Sequence, residues 1–206
     1  MTFYDDWVLP RILNFAMGMK PITDERKKCL AGVRGTVLEV GFGSGLNLPW
    51  YPEGVQQVVA IDPSKEGAKL ARKRIRAARF PVEYMPLAGE KIAAPDASFD
   101  AVVSTFTLCT IPDPLAALRQ MRRVLKPKGQ FFFVEHGLAA DAAVQRWQHR
   151  LNPWQQKICG GCNMNRDIEG LVRSAGFSFE VLDKYFIPGP KPMSFMTRGI
   201  ARPLEG

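Results

Sequence analysis

The sequence predicts an α/β fold: a doubly wound sheet of seven strands, mostly parallel with an antiparallel strand at its C-terminal end, and helices on both faces. Three observations carry this. Short apolar runs rich in β-formers recur at 36–41 (TVLEVG), 57–61 (QVVAI), 81–86, 100–105 (DAVVST) and 130–135 (QFFFVE), with helical patterns near 64–79 and 114–125 between them. The runs are nearly continuous in apolar residues instead of alternating, as strands are when helices cover both sheet faces. Two later runs, 178–187 and 194–201, are separated by Pro188, Gly189, Pro190 and Pro192. That link is too short for a crossover helix, so the two strands pair antiparallel. Together these are the marks of a Rossmann-like sheet.

The remaining elements follow in chain order. Before the first strand, Trp7, Val8, Ile12, Leu13, Phe15 and Met19 form one apolar face, and residues 23–32 (TDERKKCLAG) read as a second helix capped by Thr23 or Asp24. Residues 1–32 are expected to act as a helical lid. A peripheral membrane contact through residues 1–20 is the competing reading, with Trp7 down and Arg11 and Lys20 at headgroups; Asp5 and Asp6 weigh against it. The stretch 69–79 (KLARKRIRAAR) holds six cations, with Leu70, Ala71 and Ile75 placed to turn inward. It reads as the wet face of a helix, although the same charge keeps an RNA-binding reading open. Residues 138–165 form an insertion on the substrate side, and a helix at 166–175 leads into the final strand pair. With 206 residues the chain is expected to be one domain spanning 1–206.

Composition narrows the class. Hydrophobic residues make up 46%, enough to build a core. No apolar run approaches the roughly 18 residues of a membrane span. The first residues lack the basic and apolar regions of a signal peptide, so a cytoplasmic location is the default expectation. Four irregularly spaced cysteines do not suggest a disulfide framework.

The stretch 37–51 (VLEVGFGSGLNLPWY) carries the chemistry. A dinucleotide fingerprint requires G-x-G-x-x-G. Here Gly41, Phe42 and Gly43 begin it, but the third glycine, Gly45, comes one place early. No Gly-Lys-Ser/Thr follows, which excludes a P-loop. Asp62 ends the second strand 21 residues after Gly41, where a carboxylate can accept hydrogen bonds from ribose hydroxyls.

LEVGFGSG, AIDPS, FDAVVSTFTLCTIPDP and LRQMRRVLKPKGQFFFVEHG resemble, in order and spacing, the successive motifs of class I S-adenosylmethionine-dependent methyltransferases (the type 11 group), across roughly residues 33–136. The resemblance implies S-adenosylmethionine as cofactor and a small-molecule methyl acceptor. It implies that Glu39 and the loop Gly41, Phe42, Gly43 and Gly45 border the methionine part. Asp62 would hold the ribose, Pro63 and Ser64 would lie beside the adenine, and Ala88, Gly89 and Glu90 would complete that contact. Thr105, Phe106 and Leu108 would lie next to the methyl group. A helix cap for Glu90 and a core role for Phe106 are the plain alternatives.

Glu135–His136, Thr107–Cys109 and the run Gly161–Cys162–Asn163 with Arg166 are similar to a narrower group, the thiol S-methyltransferase-like proteins. This implies a thiol acceptor, with a lipid amine or quinone as the alternative of the same class. A binding protein that keeps the fold without turnover is the alternative of another class. A thiol with pKa of about 8.5 supplies its own thiolate, so a strong general base is optional. His136, at the end of the fifth strand, is the candidate base, with Thr105 and Phe106 beside it; a packing role for His136 competes. Asn163 and Arg166 are expected to shape a lid or to cap the last helix. Cys159 and Cys162 (CGGC) lack a second pair, and His136 and His149 lack standard ligand spacing. No metal is expected; two packed cysteines or a reversible disulfide are. No nucleic-acid partner is expected.

Overall fold

A computed structural model describes residues 4–88 and 91–204. Seven strands form one sheet in the order β3-β2-β1-β6-β7-β9-β8. They are β1 (Gly35–Val40), β2 (Val55–Ile61), β3 (Val82–Tyr84), β6 (Phe99–Thr105), β7 (Leu125–His136), β8 (Phe177–Phe186) and β9 (Phe195–Pro203). The first five are parallel, and β9 runs antiparallel between β7 and β8. The doubly wound sheet and its antiparallel C-terminal pairing match the expectation. A small hairpin of β4 (Leu87–Ala88) and β5 (Lys91–Ile92) was not foreseen, and the third strand is shorter than the run at 81–86.

The apolar runs are continuous because both sheet faces are covered. Along β7, Phe131 and Phe133 enter one core with Leu38, Leu118, Met121 and Phe177. Phe132 and Val134 enter the opposite core with Leu30, Val37, Val58 and Tyr51. The two-residue period of a strand divides one run between two cores.

Seven helices complete the described fold: α1 (Leu9–Ala16), α2 (Lys20–Leu30), α3 (Lys65–Arg76), α4 (Pro114–Val124), α5 (Ala142–Ile158), α6 (Ile168–Ser174) and α7 (Lys191–Ser194). Side chains of Ser64, Asp113, Asp141 and Asp167 cap α3, α4, α5 and α6 by accepting first-turn backbone N–H groups. Helix α2 begins at Lys20, ahead of the expected cap at Thr23 or Asp24. Pro21 fits a first helical turn, where no donor is required of it, and the Thr23 hydroxyl bonds back to the Gly18 carbonyl at 3.1 Å. On α3, Ala71 is buried and Ile75 packs against the core, while Lys69, Arg72, Lys73 and Arg76 face solvent, as expected of a solvated helix face.

The insertion contains α5, whose pattern is inverted. Its buried stripe is Val144, Gln148 and Asn152, and Trp147 (55% exposed), Leu151, Trp154 (67%) and Ile158 face outward. No described helix is long and apolar enough to cross a membrane.

Candidate functional site

The carboxyl ends of β1, β2 and β6 open into a cavity of about 560 Å³, where doubly wound sheets bind ligands. Its floor is the glycine loop. Gly41 and Phe42 donate backbone N–H bonds to the Ile61 carbonyl (2.9 and 3.2 Å), turning the chain sharply off β1. Gly41 has φ +78°, and a Cβ there would lie 2.0 Å from Thr107 Oγ1. Gly43 has φ +54° with no atom within 4 Å of the place its Cβ would take, so its backbone is bare toward the cavity. Gly45 packs instead against Leu48, Phe42 and Ala71.

Asp62 leaves β2 into the same cavity. Its Oδ2 accepts from Gly43 N–H and its Oδ1 from Ser64 N–H, each at 2.7 Å. These two bonds fix the carboxylate plane and still leave each oxygen able to accept another donor. Burial raises its pKa against both bonds.

Beneath the loop lies a polar network that sequence reasoning did not find. Arg26 of α2 is 6% exposed and lines the cavity. Its Nη1 donates to Asn47 Oδ1 (2.9 Å) and Thr105 Oγ1 (2.6 Å), and its Nε is buried without a partner among the described residues. Burial lowers its pKa to about 10. Asn47 Nδ2 donates to Glu39 Oε1 (2.9 Å), and the Tyr51 hydroxyl donates to Glu39 Oε2 (2.7 Å). Glu39 therefore sits behind the cavity wall with both oxygens engaged. Burial pushes its pKa up to about 7 despite those bonds and Arg26.

This makes a pH prediction. Between about pH 4.5 and 7 the folded chain keeps the Glu39 proton that the unfolded chain has released, so the folded state binds more protons and stability falls as pH rises. The Glu39 contribution is complete below the unfolded value and is lost through pH 7. Glu39→Gln should flatten that slope, removing a difference on the order of 2–3 kcal/mol between urea unfolding at pH 5 and at pH 7.5. Equal slopes in both proteins would refute it.

On the other wall, Phe106 follows β6 with φ +55°, a strained conformation for a non-glycine residue. Its ring lies 5.0 Å from the Arg26 guanidinium. The turn after it hangs on Glu135, whose Oε1 accepts from Thr107 N–H (2.9 Å), Leu108 N–H (3.0 Å) and Ser104 Oγ (3.2 Å). Burial pushes this carboxyl to about 7 as well. From the far side, Arg166 Nη1 donates to the Leu108 and Ile111 carbonyls, and Asn163 Nδ2 donates to the Cys109 carbonyl (3.0 Å). Asn163 and Arg166 thus clamp this turn; capping of α6, the helix expected at 166–175, falls to Asp167.

Helix α1 closes the top. Leu9, Leu13, Asn14 and Met17 line the cavity. Asn14 Oδ1 accepts from Ser44 Oγ (2.8 Å) and Arg74 Nη1 (3.1 Å), and Arg11 pairs with buried Glu66 at 2.7 Å. The outer side of this N-terminal segment leaves Trp7, Ile12 and Phe15 (76%) exposed.

The cavity wall thus brings together Gly41, Phe42, Gly43, Asp62, Pro63, Thr105 and Phe106 of the expected set. Glu39, Gly45 and His136 lie outside the lining. Ala88 ends β4, and Gly89 and Glu90 lie outside the described residues. The bare Gly43 backbone, the two-oxygen carboxylate and the unpartnered buried Arg26 Nε fit the amino acid and ribose ends of S-adenosylmethionine.

The family model described as "Methyltransferase domain" matches residues 38–133. The chain is 36% identical to the human thiol S-methyltransferase TMT1A over 149 residues, 69% of this chain and 60% of that protein. It is 31% identical to human thiol S-methyltransferase TMT1B over 179 residues, covering 84% of this chain and 71% of that protein. The chain thus spans 60% of the first relative's length. A chain of the complex formed with the Haloferax volcanii Trm112 methyltransferase activator shares the fold, with a TM-score of 0.74 at 18% identity, covering 100% of this chain and 99% of that one.

Proposed function

Because this chain belongs to the class I S-adenosylmethionine-dependent methyltransferases, close to the thiol S-methyltransferase group, we propose that it transfers a methyl group to a small or lipophilic thiol. One observation carries the choice of acceptor. Among the described residues that line the cavity, only Arg26, Asp62 and Asp113 carry ionisable groups. Asp62 is held by the glycine loop and, in this reading, taken by the cofactor's ribose, and Asp113 caps α4. Among the described lining residues no side chain is then left to take a proton from an acceptor. A thiol, with an ordinary pKa of about 8.5, reaches its reactive anion near neutral pH unaided, whereas a phenol at about 10 does not. The remaining wall, with Leu13, Met17, Ile92, Ile111 and Met121, suits an apolar acceptor.

S-adenosylmethionine, when bound, supplies a methyl carbon activated by its sulfonium. In this reading Asp62 accepts from the ribose hydroxyls, and Arg26 meets the carboxylate end. Gly41, Phe42 and Gly43 border the methionine part, with Gly45 shaping the turn and Glu39 holding Arg26 in place through Asn47. Pro63 borders the adenine side. Thr105 and Phe106 flank the acceptor. Helix α1 excludes water, which keeps a charged nucleophile poorly solvated and reactive. His136 is not required as a base.

The test is a pH–rate series with thiols whose pKa values span about 6 to 10. The inflection in kcat/KM should move with the ionisation of each thiol. One inflection common to every thiol would reveal an enzyme base and contradict the reading, as would faster turnover of amines.

A further inference from the structure

Two sulfurs and an imidazole nitrogen meet behind the cavity wall, from segments far apart in sequence. Cys109 lies in the turn after β6, His136 ends β7, and Cys162 lies in the loop after α5. Cys162 Sγ is 3.1 Å from His136 Nε2 and 3.3 Å from Cys109 Sγ, and all three ligand atoms lie within 4.8 Å of one another. We propose that Cys109, His136 and Cys162 form a binding site for a divalent d¹⁰ ion of the zinc class.

The spacing suits such an ion. Bond lengths of about 2.3 Å to sulfur and 2.0–2.1 Å to nitrogen put a tetrahedral sulfur–nitrogen pair about 3.5 Å apart and a sulfur–sulfur pair about 3.8 Å apart, so the observed 3.1 and 3.3 Å each open by about half an ångström to admit the ion. The partners of the imidazole argue the same way. Its Nδ1 is buried without a partner among the described residues, and its Nε2 meets only Cys162 Sγ. A Cys109–Cys162 disulfide would tie up the one sulfur that the ring meets. Coordination instead gives the ring nitrogen a bond. A neutral imidazole is the form that binds metals. Both thiols release their protons to solvent, and two thiolates with a divalent cation leave a buried centre without net charge.

The site is also braced. The Cys109 carbonyl accepts from the backbone N–H (2.9 Å) and Nδ2 (3.0 Å) of Asn163, next to Cys162. Thr110, which lines the cavity, has its Oγ1 3.5 Å from Cys109 Sγ. A bound ion would pin the insertion to the sheet exactly one residue from the cavity, leaving its fourth position for solvent or an exogenous ligand. The proposal does not depend on the identity of the acceptor.

Titration of the reduced, chelator-treated protein with Co²⁺ alone tests it. The expected result is one Co²⁺ per chain, with thiolate-to-cobalt charge-transfer absorption and the intense visible bands of a tetrahedral site, displaced by Zn²⁺. Cys109→Ser and Cys162→Ser should each weaken binding at least tenfold and diminish the charge-transfer band. Cys159→Ser, whose sulfur lies outside the cluster, should leave both unchanged. Absence of a stoichiometric charge-transfer band in the wild-type protein overturns the proposal without recourse to any variant. So does a band that persists in the Cys109→Ser/Cys162→Ser double variant, or peptide mapping showing that in air, with dioxygen as the oxidant, the protein closes a Cys109–Cys162 disulfide in preference to taking up the ion.

Discussion

Glu135→Ala is expected to destabilise the protein by about 3 kcal/mol or more and to abolish methyl transfer. The carboxylate is fully buried and holds the Thr107 and Leu108 amides and the Ser104 hydroxyl, with Cys109 N–H at the edge of reach (3.5 Å). Alanine leaves those donors without an acceptor in a place water does not reach. The turn they belong to also carries Phe106, already strained, and Thr107, which sits against the Gly41 backbone. Its collapse would therefore reach the glycine loop. Glu135→Gln keeps one acceptor oxygen but turns an NH₂ toward N–H donors, so an intermediate loss is expected. Urea denaturation with a parallel activity assay separates the two effects. Full stability in Glu135→Ala would show that the turn is held by Asn163 and Arg166 alone.

Asp62→Ala should behave in the opposite way: little change in stability, but affinity for S-adenosylmethionine reduced on the order of 100-fold. The carboxylate is buried at a cost, which its raised pKa records, so its removal relieves a desolvation penalty. What is lost is a preset acceptor pair aimed into the cavity. Asp62→Asn, which keeps one acceptor, should fall between. Calorimetric titration of the folded variants decides it; unchanged affinity would remove Asp62 from the cofactor site.

The parallel strands were legible because burial on both faces writes an uninterrupted apolar run, and the glycine loop because positive φ and close approach select glycine. Other features left no such trace. Helix α5 buries Gln148 and Asn152 and exposes Trp147 and Trp154, so its hydrophobic period points away from its packed side. Arg26 sits among the charged residues of the helix expected at 23–32, yet it is buried by a network with Asn47 and Thr105 that only the fold assembles. The Cys109–His136–Cys162 cluster has no ligand spacing in sequence. Its one sequence clue is topological: β6 and β7 pair in parallel through Thr105 and Val134, which brings the residues after their carboxyl ends together.

The central claim is a methyl group moved from S-adenosylmethionine to a thiol in this cavity. The most direct measurement is incubation with methyl-deuterated S-adenosylmethionine and a panel of alkyl and aryl thiols, amines and quinols, read by mass spectrometry. The account predicts a labelled thioether formed in step with S-adenosylhomocysteine, and its loss in Asp62→Ala. Cofactor binding without any labelled thioether, or label found only on an amine or a quinol, would contradict it.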